Sequence, residues 1–417
     1  MPKDNKLFFK QKKLWSEVKD ELLGCYLVPY LNKVMTMNMP ILYVDCFAGK
    51  GKFDDGKDGS PLIAVQCLSQ CLSTYHPTQY ISRVPNVMLK FIELNHANDL
   101  RRNLSTSSAT DYEVIDGRFE DNIIPILQTI FTKYRSVNVF LYIDPYGIKA
   151  LNTPLFVSLP YRFSTAELLI NLNSFGFIRE ACRVMKVNFR EQEDEIMSDL
   201  VEYDNSHMQS IDELNMIAGG DYWQKIISDY NGGTIDCYDA EKSFAQQYRD
   251  CLRKSYRYVL DMPIRLKPSA HPKYRLIHAT NHPEGCILMA DNMAKRTDRL
   301  LVEIQSKGQM SLFSQTADNI LVDENTIDCK MRLLLSVTSG YIHLNELLAV
   351  FFNEFGVLCG SPQLSSGKTG SCLKRLEKSG EIEVLRNPQT TPTGRPSSFW
   401  NESRNNEVLI RRKLSNG

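Results

Sequence analysis

Between residues 41 and 173 short apolar runs alternate with amphipathic stretches, the pattern of a parallel sheet wrapped by helices. Runs at 41–46, 87–93, 112–115, 137–143 and 166–173 predict strands, and 137–143, the most apolar, belongs at the centre. Ahead of them, residues 8–34 read as an amphipathic helix over the sheet edge. Leu14, Trp15, Val18, Leu22 and Tyr26 share one face, with Lys12, Lys13, Glu17 and Asp20 turned away. Ser60-Pro61 starts a crossover helix over 61–74, a capping hydroxyl followed by proline in the first turn. Residues from 178 to about 240 form a charged helical insertion, interrupted by Gly219-Gly220-Asp221-Tyr222-Trp223. Strands return at 256–266 and 274–280, joined through Pro268 to Pro272 as an antiparallel hairpin, and a helix at 284–306 follows.

Residues 307–324 are polar and read as a linker. Beyond them the pattern is helix, helix, helix, hairpin. Met331–Val337 and Leu344–Phe352 pack, and Gly367–Lys378 carries Lys368, Lys374, Arg375 and Lys378. Strands at 381–385 and 397–400 flank a loop with Thr393-Gly394-Arg395 at its tip, which predicts a winged helix. The expected organisation is therefore 1–306, a linker over 307–324, and a winged-helix domain over 325–417.

Bulk composition narrows the classes. The 49 basic and 49 acidic residues balance, so a nucleic-acid surface must be local. Residues 360–417 are such a place, with ten Lys/Arg against five Glu. Eleven cysteines without a CxxC pair fit reduced thiols, and a cytoplasmic location is expected. Cys67 and Cys71 would need a third cysteine where Thr74 stands, so an iron–sulfur cluster is not expected. No apolar run approaches the roughly 20 residues of a membrane span, and Met1-Pro2-Lys3-Asp4 begins no signal peptide. His278 and His282 are i, i+4 but straddle a strand end, where such residues share no face, so no metal is expected.

The chemistry sits at the strand ends. Asp45 closes the first run, and Cys46-Phe47-Ala48-Gly49-Lys50-Gly51 follows as a tight turn whose glycines let backbone approach a ligand. Glu93 ends the second strand, placed to hold two ribose hydroxyls, and Asp116-Gly117 ends the third, placed to meet an adenine amine. A nicotinamide fold is disfavoured by the missing third glycine and by the long interval from Asp45 to Glu93, against roughly 20 residues. Asp144-Pro145-Tyr146-Gly147 closes the central strand. A carboxylate and the proline carbonyl accepting N–H bonds suit an exocyclic base amine, with Tyr146 stacking on the base. Carbon-5 cytosine chemistry is disfavoured, because no Pro-Cys stands there and Cys46 reads as packing. Asn171 and Asn173 alternate on a strand and face the substrate side.

These features together resemble a class I S-adenosylmethionine-dependent methyltransferase, an α/β fold with a Rossmann-like seven-stranded sheet. Phe47 belongs to its cofactor turn. More narrowly, Asp45–Gly51, Gly59-Ser60-Pro61, Asp144–Gly147, Asn171-Leu172-Asn173, Gly220–Trp223 and Leu276–Gly285 are similar to the three-Cys-motif partner family. That resemblance covers roughly residues 12–300 and implies S-adenosylmethionine as cofactor. It also implies association with a second protein carrying a three-cysteine, radical-SAM-type motif. Tyr146 stands where phenylalanine is more usual.

Two further signals concern partners. The winged helix predicts nucleic-acid contacts from Lys368, Lys374, Arg375 and Arg395. Gln309-Met310-Ser311-Leu312-Phe313 is similar to the peptide by which bacterial proteins bind the polymerase sliding clamp, with Gln309, Leu312 and Phe313 as anchors. Clamp docking favours DNA over RNA. The alternatives to a base-amine methyltransferase are a fold-level adaptor for a radical-SAM partner and a ligand-sensing DNA-binding regulator.

Overall fold

Seven strands form one sheet: β1 Ile41–Asp45, β2 Val87–Glu93, β3 Tyr112–Asp116, β4 Asn138–Ile143, β5 Thr165–Leu172, β6 Tyr258–Arg265 and β7 Pro272–Thr280, in the order β3-β2-β1-β4-β5-β7-β6. Every residue of β1, β4 and β5 is buried, as strands covered on both faces must be. The first five strands run parallel, and β7 lies antiparallel to β5. This is a mixed α/β, Rossmann-like sheet. Its chain reverses between β1, which pairs with β2 on one side, and β4 on the other. Ligands of such sheets bind beyond the carboxyl ends of the strands at that reversal.

The computed structural model describes residues 9–76, 86–105, 111–145, 147–148, 150–189, 209–265, 272–308, 322–367 and 370–413. Its contacts divide the chain into two units, Met1–Ala279 and Thr280–Gly417. The expected boundary at 306 therefore moves to 279. The helix Pro283–Gly308 groups with the second unit, because Cys286, Met289, Ala290 and Met293 are buried and the Cys286 thiol points at the Ala349 carbonyl, 3.7 Å away.

In the first unit, helix α1 Leu14–Met35 begins later than the pattern implied. Helices α2 Ser60–Ser73, α3 Ala97–Leu104 and α4 Phe119–Lys133 are crossovers of the parallel strands, and α5 Thr153–Ser158 precedes β5. The insertion supplies α6 Ser174–Val184, α7 Ile211–Ala218, α8 Tyr222–Asn231 and α9 Cys237–Leu252. It extends the sheet's own core: Phe177, Trp223, Phe244 and Tyr248 cluster with β4 and β5 residues. Phe177 stacks on Phe244 at 4.0 Å, and the Trp223 indole N–H donates to Asn215 at 2.9 Å.

The second unit holds α10 Pro283–Gly308, α11 Glu324–Val337, α12 Leu344–Phe355 and α13 Cys372–Lys378, with a three-stranded sheet in the order β8-β10-β9. Its strands are β8 Ile342–His343, β9 Ile382–Asn387 and β10 Glu407–Arg412, paired antiparallel. The expected strand at 397–400 is instead an extended segment, and the partner of β9 is β10. Val408 and Ile410 are fully buried on alternate positions of β10, an inward face that 397–400 lacks. Gly367 and Gly370 interrupt the expected helix from 367, which starts at Cys372. Among the described residues no helix is long and apolar enough to cross a membrane.

Candidate functional site

A cleft of about 890 Å³ opens at the carboxyl ends of β1, β2, β4 and β5. Its floor is the turn after β1. The Cys46 N–H donates to the Tyr142 carbonyl at 2.9 Å and the Ala48 N–H to the Ile92 carbonyl at 3.0 Å, tying the turn to both neighbouring strands. Gly51 has φ +76°, and a Cβ there would meet Leu100 at 2.7 Å. Its carbonyl accepts the Gly59 N–H at 2.8 Å, which sets the start of α2 beside the turn. A Gly51→Ala protein should therefore lose about 1–2 kcal/mol from the left-handed backbone alone, read as a lower urea midpoint with unchanged slope; an unaltered midpoint would show that the turn is not strained.

Phe47, Gly49, Gly51, Glu93, Gly117, Asp144 and Pro145 all line the cleft. Glu93 is engaged: Oε2 accepts the Gly49 N–H at 2.8 Å, and Oε1 accepts the N–H groups of Asn95 and His96 at 2.8 and 2.9 Å. A carboxylate has about four acceptor positions, so one is left rather than the pair expected for two ribose hydroxyls. Glu93 also holds the glycine turn in place. Phe47 packs on Phe119 at 5.3 Å, giving the cleft an aromatic wall.

Two expected cofactor residues stand elsewhere. Asp45 is buried behind the cleft lining. Its Oδ1 accepts the Phe47 N–H at 3.2 Å, and Oδ2 is buried with no partner in hydrogen-bond geometry. Burial pushes the carboxyl up to about 7, against the opposing pull of the nearby Ser60 hydroxyl and the Phe47 N–H. Asp116 is exposed and lies off the cleft, while Gly117 and Arg118 form that part of the wall. The strand-end rule points at the right turn but one residue early, because side chains alternate faces along β3.

Helix α1 and the residues just ahead of it bring side chains that the sequence pattern misassigned. Lys12 and Asp20, expected on a solvent face, are only 8% exposed, and Lys19 is 6% exposed. Lys12 pairs with Asp20 at 2.5 Å. Burial pushes the Asp20 carboxyl up to about 6, against the pull of Lys12 and Lys19. Lys19, Asp20 and Trp15 line the cleft, so this helix forms a wall rather than an edge cover. No periodicity signals that, since the polar face is buried by the cleft and not by apolar packing. Asn171 and Asn173 line the cleft as expected, and Asn173 caps α6 by accepting the Gly176 N–H at 2.8 Å. His278 is fully buried at 3.3 Å from Glu167 and packs edge-on against Tyr26.

The remaining expected sites divide. Tyr146, Lys368, Gln309, Leu312 and Phe313 lie outside the described residues. Lys374 and Arg375 are turned to internal contacts. Lys374 Nζ donates to the Gly367 carbonyl at 2.9 Å, and the Arg375 guanidinium donates to Asp328 at 3.0 and 2.6 Å. Neither is displayed as a recognition helix would require. Arg395 is exposed at the tip of the β9–β10 connection.

No family model and no curated protein matches the chain. Among solved structures it is similar to PKMT2 from Rickettsia typhi, at 8% identity and a TM-score of 0.24, over 57% of this chain and 43% of that one.

The cleft fits a nucleoside with a charged tail in part. Asp45 Oδ2 is a buried acceptor beneath the turn, behind the lining, and Gly49 and Gly51 present backbone to the cleft while their Cβ positions face Phe9 and Leu100. The ribose end has one free acceptor position on Glu93, and the adenine end has no carboxylate from Asp116.

Proposed function

We propose that the chain is an S-adenosylmethionine-dependent methyltransferase acting on an exocyclic amine of a nucleic-acid base, with DNA as the preferred acid. One observation carries this reading: the glycine turn, Glu93 and Asp144 border a single cleft at the sheet's reversal point. S-adenosylmethionine would supply an electrophilic methyl group there. Gly49, Gly51 and Phe47 would bound it, Glu93 would accept one ribose hydroxyl, and Asp45, buried behind the turn, would meet the ammonium end only through a bridging water. Asp144 and the Pro145 carbonyl would accept the N–H bonds of the acceptor amine and aim its nitrogen, with Tyr146 stacking on the base.

The second unit is read as a winged helix, because a short strand β8 between α11 and α12 joins the later β9–β10 pair, whose long connection displays Arg395. Lys368 and Arg395 then remain for phosphate contact, and Gln309 to Phe313 for a sliding clamp. A second reading, an adaptor serving a radical-SAM-type partner, is favoured by the engagement of Asp144, whose two oxygens already accept from Lys19.

Transfer of tritiated methyl to mixed DNA and RNA separates the two. Wild type should label DNA, and Asp144→Ala should lose about a hundredfold of the rate. Equal labelling by both proteins would remove the base-amine assignment, and cofactor binding without labelling would favour the adaptor.

A further inference from the structure

Asp144 meets the cleft with its carboxylate already holding an amine. Lys19 Nζ donates to Oδ1 at 2.7 Å and to Oδ2 at 2.6 Å, and Asn171 Nδ2 donates to Oδ1 at 2.7 Å. The same ammonium lies over the Tyr274 ring, 5.8 Å from its centroid. The Lys19 side chain is 8% exposed and that of Asp144 25%, and all four residues border the cleft. A carboxylate for the hydrogens, an aromatic face for the charge and a neighbouring amide to orient the carboxylate are the elements that recognise a primary amine.

We propose that Asp144, Asn171 and Tyr274 form a seat for a primary amine, that Lys19 fills this seat in the free protein, and that an incoming amine enters by displacing Lys19. Only the identity of the incoming amine rests on the methyltransferase reading; the chemistry of the seat does not. Exchange of one ammonium for another on Asp144 leaves the charge of the cleft unchanged. A neutral base amine competes poorly with an ammonium for a carboxylate, so with a base as substrate Lys19 needs a second anion to move to. A phosphate of the incoming nucleic acid supplies one.

Truncation tests the seat with a probe that does not involve the cofactor. In Lys19→Ala, methylammonium chloride should raise the thermal unfolding midpoint by a few degrees over sodium chloride of equal ionic strength. Wild type, where methylammonium must first displace Lys19, should gain less, and the Lys19→Ala/Asp144→Asn double variant should show no gain. Tetramethylammonium, which has no hydrogen to donate, should be inert in all three. An equal response of the three proteins to methylammonium would overturn the proposal. A second measurement avoids the truncated side chain. In Asp144→Asn, acetylation of Lys19, followed by peptide mass, should run about tenfold faster than in wild type; an unchanged rate would equally overturn it. Absence of S-adenosylmethionine binding would remove the methyltransferase reading and leave these outcomes interpretable.

Discussion

An Asp45→Asn protein should be more stable than wild type at pH 8, by a margin that shrinks steadily toward pH 4. The Asp45 carboxyl is wholly buried and raised to about 7, from 3.8 when free. The folded protein thus keeps a proton that the unfolded chain has released. Its contribution to stability is full below pH 3.8 and is lost as pH rises through about 7. The whole shift corresponds to about 4 kcal/mol at most, a large part of a typical folding free energy. Asparagine has nearly the same shape and does not ionise, so it escapes that loss. Asp20, raised to about 6 by burial, retains a loss of the same sign over a narrower pH window in both proteins. Urea unfolding at pH 5 and pH 8 checks this; an equal difference between the two proteins at both values would mean that Asp45 is solvated in the folded state. If the buried carboxylate exists to meet an ammonium, the variant should also bind S-adenosylmethionine more weakly at pH 8, by about tenfold or more.

Trp223→Ala should cost about 3–5 kcal/mol, the range for deleting a large buried aromatic. The indole is fully buried, meets Phe177 edge-on at 6.0 Å and donates to Asn215 at 2.9 Å. Phe177 sits on α6, the helix that presents Gly176 and Arg179 to the cleft. Loss of the indole should therefore loosen the cleft wall as well as the core. Trp223→Phe, which keeps most of the packing and forfeits the hydrogen bond, should cost much less. Denaturant titration of both variants tests the ordering, and a mild Trp223→Ala would show that the insertion contributes little to the core.

Along the sheet, local pattern and tertiary outcome agree closely. Strands expected at 41–46, 87–93 and 137–143 appear as Ile41–Asp45, Val87–Glu93 and Asn138–Ile143. The first and last of these are buried on both faces, so their apolar runs carry the signal without help from neighbours. The glycine turn was legible for a similar reason, since Gly51 adopts a conformation that other residues resist. The second unit reads less cleanly. Val408 and Ile410 are buried in β10, but the stretch is flanked by charge and follows a long polar connection, whereas Phe399 and Trp400 draw attention to a segment that pairs with nothing regular.

Chain-local information thus determined the alternation of strands and helices, the tight turn after β1 and the carboxylates at the strand ends. Tertiary structure decided which of those carboxylates share a cleft, and it divided them: Glu93 and Asp144 on the wall, Asp45 behind it, Asp116 outside. It also brought Lys19 from α1 onto Asp144, a pair separated by 125 positions in the chain. Periodicity reports which face of an element is apolar, while an ion pair between distant elements depends on how they are packed. A lysine buried by a carboxylate looks, in sequence, like any other lysine on the polar face of a helix.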